Sequence, residues 1–369
     1  MRKFLMLPLM LISLFGTAQT FYMFVGTYTN KGSKGIYVYR FNAETGIAEL
    51  VSNTDGVVNP SYLAIAPNKK YVYAVNETNG KNPGKVSAFS FDKNTGQLTF
   101  INQQLSNGDD PCYVSVSKNN DWIMVANYSG GSLSALSVNK DGSLNAAGQI
   151  IQHEGRSIDK RQAKAHVHET VFSPDYKYLL TPDLGLDKVV VYKFNPAAQT
   201  PLSPATPPFV QVDAGNGPRH ITFHPNKKSA YLIEELTGTI GAYAYNGGKL
   251  TLIQHIAAHP ADFKGEIGSA EIDVSADGKF LYASNRGDEN NIAIFAIDKA
   301  GKLQLVGYQP TVGKAPRHFI IDPTGNFLLV ANQDSDNIVI FKRDKQTGKL
   351  TETGNQIKVS MPVCVQILK

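Results

Sequence analysis

One pattern recurs six times along this chain of 369 residues, and the recurrence limits the possible folds more than composition does. It is a strand-like run, a turn rich in Pro, Asp, Gly and Lys, and a second run that ends in a polar residue. The copies are NPSYLAIAPNKKYVYAVNE from residue 59, DPCYVSVSKNNDWIMVANY from 110, HVHETVFSPDYKYLLTPDL from 166, GPRHITFHPNKKSAYLIEE from 217, GSAEIDVSADGKFLYASNR from 268 and APRHFIIDPTGNFLLVANQ from 315. A third run such as KVSAFSF, KVVVYKF or NIVIFKR follows, then a turn such as DKNTGQL or DKQTGKL, then a fourth stretch. Short runs rich in β-branched and aromatic residues with turn residues between them are strand signals, and no amphipathic helix interrupts them. Four strands repeated about every fifty residues are the signature of a propeller blade.

The two ends of the chain supply a seventh copy. FYMFVGTYT and GIYVYRFNAETGIAEL carry the later strands of a blade without its first, and SMPVCVQIL at the C-terminus matches only that first strand. The expected fold is therefore all-β, a seven-bladed β-propeller formed by one domain over residues 19–369. Its C-terminal strand completes the N-terminal blade, so the ring closes without an open edge. The chain exceeds the ~250–300 residues at which one ordinary core stops growing, which a repeat architecture accommodates.

The opening MRKFLMLPLMLISLFGTAQT has a basic start at Arg2 and Lys3, an apolar run from Phe4 to Phe15 and small residues up to Ala18. This is the pattern of a secretory signal peptide over residues 1–18, implying a periplasmic or secreted protein. The run is too short for a spanning helix of ~20 residues, and no later segment resembles a membrane span. A formal charge of +5 from scattered Lys and Arg gives no nucleic-acid footprint. Cys112 and Cys364 are the only cysteines, too few for a disulfide framework, so the core must hold the fold.

The copies act as internal controls, because positions that recur serve the scaffold and positions that vary are free to serve chemistry. The end of the second run holds Asn76, Asn127, Asp183, Glu234, Asn285 and Asn332, which reads as a turn-capping position rather than a set of Ca²⁺ ligands. The next position varies: Glu77, Tyr128, Leu184, Glu235, Arg286 and Gln333. So does the start of the first run, with Ser61, Cys112, His168, Arg219, Ala270, Arg317 and Val363. Antiparallel pairing of the two runs brings these variable positions to one mouth of the central channel.

His168, Arg219, Glu235 and Arg286 converge there as candidate catalytic residues, an acid or base beside an anion clamp. Their neighbours Glu169, His220 and Glu271 are expected on the other side of the strand. The alternative reading is an ion-pair network that stiffens the channel. His166 and His168 share a strand face, but no third metal ligand stands nearby, so His166 reads as structural or as a support to the site. His153, His224, His255 and His259 read as loop or surface residues, Trp122 as core, and Arg317 as rim or structural support. No Gly-rich phosphate loop lies between a strand and a helix, and no G-x-S-x-G elbow is present.

FVGTYT near the start, HVHETVFSPD, GPRHITFHPN followed by AYLIEEL, LYASNR, and the closing APRHFIIDPTGNFLLVANQ together resemble one family over nearly the whole chain beyond residue 18. It is that of the seven-bladed propeller lactonases of the bacterial 6-phosphogluconolactonase type, which also includes fungal carboxy-muconate-lactonising enzymes. The resemblance implies hydrolysis of a lactone ester, an anionic small-molecule substrate, no metal and no other cofactor, with the active residues falling on His168, Arg219, Glu235 and Arg286. Glu169 stands where relatives often place a small residue. 6-Phosphogluconolactone belongs to cytosolic sugar metabolism, whereas this chain carries an export signal. A muconate cycloisomerase, and a non-catalytic exported propeller that binds a glycan or protein, are the alternatives.

Overall fold

The computed structural model describes residues 19–369, so the expected signal segment over 1–18 lies outside the described residues. Twenty-eight strands form seven sheets of four, and the only helical elements among the described residues are two short 3₁₀ turns. Six sheets run in chain order from the axis outward; the seventh takes Pro362–Ile367 as its innermost strand, followed by Thr20–Thr27, Ile36–Asn42 and Ala48–Thr54. Counting that split sheet as blade 1, the expected seven-bladed propeller and its closure are what the structure shows.

The closing strand pairs antiparallel with Thr20–Thr27, with Met23 opposite Ile367 and Val25 opposite Val365. Gly26 sits in this seam, where a Cβ would come within 2.3 Å of the Pro60 carbonyl of blade 2, so only glycine fits.

Seven buried hydrophobic clusters fill the seven gaps between neighbouring blades. The second strand of each blade explains how. In Phe280–Asn285, Phe280 and Tyr282 pack toward blade 7 while Leu281 and Ala283 pack toward blade 5. A strand covered on both faces has no solvent side, which is why these runs read as continuous apolar stretches. The recurrent polar residue at their ends ties blades together. Asn76 Nδ2 donates to Val58 O at 2.8 Å, Asn285 Nδ2 to Ala258 O at 2.6 Å and Asn332 Nδ2 to Thr311 O at 3.1 Å, each acceptor following the last strand of the preceding blade.

The feature that builds the channel mouth is a β-bulge at the head of the innermost strand. Pro111 faces Asn127 and Tyr113 faces Ala126, leaving Cys112 as the extra residue. Arg219 and Arg317 are extra in the same way in blades 5 and 7, and Val363 in blade 1. In blade 6 the irregularity spans Ala270 and Glu271. These are the positions that vary between copies. A bulge re-aims its side chain, so in blades 5 and 7 both members of the consecutive pair reach the axis. Arg219 and His220 line one constriction, as do Arg317 and His318. The expectation that His220 and Glu271 turn to the other side of the strand is therefore incorrect, because simple alternation fails where the ladder carries an extra residue.

A chain ending at Met361 keeps every other strand but leaves Thr20–Thr27 with an unpaired edge. It is expected to aggregate or to melt far below the full-length protein in a thermal scan. A soluble monomer with an unchanged melting temperature would contradict the closure.

Candidate active site

At one end of the channel lies a cavity of about 320 Å³ to which all seven blades and one connecting loop contribute. Its centre is Glu235. Arg161 Nη2 approaches Glu235 Oε1 at 2.6 Å, Arg286 Nη2 approaches the same oxygen at 3.1 Å, and Arg219 Nε donates to Oε2 at 3.0 Å. The guanidiniums are themselves fixed by backbone carbonyls. Arg219 Nη1 donates to Ala270 O at 2.7 Å, and Arg286 Nε to Gly268 O at 2.9 Å. Arg219 is only 2% exposed. The clamp is thus held in place without a ligand, the condition for electrostatic preorganisation.

His168 forms part of the cavity wall beside this clamp. Its backbone N–H donates to Pro182 O at 3.0 Å, and its Nδ1 lies 4.0 Å from Cys112 Sγ. Burial, then the positive field of Arg219 and other cations, holds its imidazole well below the ordinary His pKa, so it is neutral. Burial alone would raise the pKa of Glu235, but Arg286, Arg219 and Arg161 overcome it and hold the carboxyl far below the usual range. Burial also brings the Arg286 guanidinium down to about 10, still cationic at neutral pH.

The four residues expected from the sequence therefore meet in one site, and the structure adds others. Arg161 sits in the 3₁₀ turn Lys160–Gln162 between blades 3 and 4. Asp159 and Gln162 cap that turn reciprocally, and buried Gln162 donates to Leu184 O at 2.8 Å and Asp187 Oδ1 at 2.7 Å. The sequence signal was the longer interval between the copies starting at 110 and 166 than between those starting at 166 and 217.

Arg317 faces the same cavity, its guanidinium 5.6 Å from the centre of the Tyr28 ring, and Tyr28 OH donates to Glu77 Oε1 at 2.8 Å. It belongs to the site rather than to the rim. Three guanidiniums, Arg161, Arg286 and Arg317, thus share the cavity with three carboxylates, Glu77, Asp110 and Glu235, and Arg219 reaches Glu235 from the constriction below. His166 stacks on Tyr128, which also lines the cavity, and its Nδ1 lies 3.0 Å from Tyr128 O. Two of the histidines read as loop or surface are not. His153 is buried between Asp183 Oδ2 and Tyr192 OH, each at 2.7 Å, and His255 Nε2 lies 2.8 Å from Glu234 Oε1.

Fold and site together describe a propeller whose channel mouth sets fixed guanidiniums and a buried carboxylate beside a neutral imidazole. The family model for the seven-bladed β-propeller lactonases matches residues 22–367, and the chain belongs to that family. It is 42% identical to a 6-phosphogluconolactonase of Formosa agariphila over 92% of this chain and 97% of that one. It is 38% identical to a 6-phosphogluconolactonase of Bacillus subtilis over 94% and 97%. Among solved structures, a putative 6-phosphogluconolactonase from Bacteroides fragilis superposes with a TM-score of 0.91 at 44% identity, covering 95% of this chain and 98% of that one. The periplasmic gluconolactonase of Pseudomonas aeruginosa also gives 0.91, at 38% identity over 95% and 99%.

Glu235→Gln leaves the buried guanidiniums without their counter-charge and is expected to destabilise the fold by about 3 kcal/mol at neutral pH. Because the folded pKa of Glu235 lies below its ordinary value of 4.5, its stabilisation is complete above that value. It is lost as pH falls below it toward the folded pKa. The gap in melting temperature between wild type and variant should therefore narrow on acidification; a gap constant from neutral pH to pH ~3 would contradict the clamp.

Proposed function

We propose that this protein hydrolyses the lactone of an anionic sugar acid to the open-chain acid, with a phosphorylated gluconolactone as the first substrate to test. The observation that supports this most is the group of guanidiniums fixed beside a neutral, cavity-facing His168, in a chain of the propeller lactonase family.

In this reading the substrate anion docks against Arg161, Arg286 and Arg317. It offsets the positive field that depresses His168 and so raises the proton affinity of that imidazole. Both oxygens of Glu235 are already engaged by guanidiniums, which leaves His168 as the general base and Glu235 as the group that orients the clamp. His168 takes a proton from water as its oxygen adds to the ester carbonyl, and Arg219 and Arg286 stabilise the resulting oxyanion. Collapse breaks the acyl–oxygen bond, and protonated His168 returns its proton to the departing ring oxygen. The carboxylic acid formed then ionises, so each turnover yields one carboxylate and one proton.

His168→Ala should lower kcat by about 10²-fold or more. Arg317→Met should raise KM for a phosphorylated lactone more than for its unphosphorylated counterpart. Carboxylate release from a panel of sugar, phosphosugar and muconate lactones reads both effects. Full turnover by a folded His168→Ala variant would overturn the site assignment, lactone formation from muconate would favour a cycloisomerase, and binding without hydrolysis a non-catalytic propeller.

We further propose that the protein is exported, as the basic, apolar and small-residue order of residues 1–18 and the likeness to a periplasmic gluconolactonase suggest. N-terminal sequencing of protein from its native cells should then start near Gln19; a retained Met1 would contradict export.

A further inference from the structure

The channel does not end at the active-site cavity. Below it is a gap of about 10 Å³, and beyond that a second cavity of about 310 Å³ opens at the opposite end of the propeller. His168 faces both the active-site cavity and the gap. Glu271 faces both the gap and the far cavity. Between them is His220, its ring 5.1 Å from that of His168 and its Nδ1 3.2 Å from Glu271 Oε1.

Buried His220 Nε2 has no hydrogen-bond partner, and Glu271 Oε2 has only His318 Nε2 nearby, at 3.4 Å; the His220 and Glu271 side chains are 3% and 7% exposed. His220 is neutral, since burial and then Arg219 hold its pKa well below the ordinary value. With Nδ1–H donating to Glu271, its Nε2 carries a free lone pair. The gap has about the volume of one water, and its walls offer polar partners. The far cavity has no arginine in its lining: Glu169, Asp273 and Glu271 outnumber Lys369 there. Burial raises Glu271 above the usual carboxylate range and Asp273 to about 6, so both hold a proton more readily than a surface carboxylate.

We propose that His220 and Glu271 relay the proton of each turnover away from His168, along the propeller axis to the far cavity. This rests on the lactonase reading, in which hydrolysis makes one proton in a site whose guanidiniums oppose its exit past them. His168, neutral again after returning its first proton to the ring oxygen, takes the proton of the product acid; a water in the gap accepts that proton and passes one to His220 Nε2, while the Nδ1 proton moves to Glu271 Oε1. Glu271 releases it to solvent in the far cavity, and the imidazole resets by ring rotation. No bond to carbon changes and no oxidant or reductant is needed. His220 and Glu271 touch no substrate; they act through His168.

The test is Glu271→Gln, which keeps the shape and still accepts from His220 Nδ1 but cannot take up a proton. In weakly buffered solution its kcat should fall about tenfold with KM unchanged, and added imidazole or another small base should restore it. Should that variant fail to fold, the wild-type rate plotted against deuterium fraction should curve, because several protons move together, whereas a straight line overturns the relay. Wild-type kcat in a folded Gln variant at low buffer, or a loss no small base restores, also overturns it while leaving the lactonase reading intact. No lactone turnover by the wild type sinks both.

Discussion

A regular antiparallel ladder at the head of an innermost strand would turn successive side chains to the two neighbouring blades, and none would be directed down the axis. The bulge removes that constraint. By leaving Cys112, Arg219, Arg317 and Val363 out of the pairing, it adds channel-facing positions at the one place where the blades converge. The scaffold remains free to repeat: Asn76, Asn285 and Asn332 make the same tie to the preceding blade. Chemistry then varies at the expelled residue and at the one just beyond the second strand.

What occupies those positions is costly to bury. Arg219, Glu235, His168, His220 and Glu271 are all nearly solvent-free, and each charge needs a partner or a shifted pKa to remain there. The structure sorts them along the axis. Arginines gather around Glu235 at one end, neutral imidazoles fill the narrow middle, and carboxylates with raised pKa values occupy the other end. In the proposed reaction the first mouth takes the anion and the second the proton, the two charged products of ester hydrolysis.

The fold was legible because the period of the repeat is long, regular and completed by the two termini. Much of the site was legible for the same reason, since Arg219, Glu235 and Arg286 stand at positions where aligned copies disagree. Arg161 was not, because it lies on a connection outside the repeated unit and no other copy exposes it as an exception. Arg317 was misplaced because its neighbours were sought in adjoining sequence. Ring closure instead sets it beside Tyr28 and near Glu77, from the opposite end of the chain. His153 was missed because its partners Asp183 and Tyr192 belong to the next blade. His220 and Glu271 were assigned to the wrong side because period-two alternation does not survive a bulge.

The central claim is that His168 is a neutral imidazole held down by burial and the arginine field, and that a bound anion releases it. Nitrogen NMR of labelled imidazoles, titrated with and without a non-hydrolysable phosphorylated sugar acid, tests this directly. The account predicts that His168 stays neutral to well below pH 6.5 in the free protein and titrates higher with the anion bound. A His168 that titrates near 6.5 and ignores the anion would contradict it.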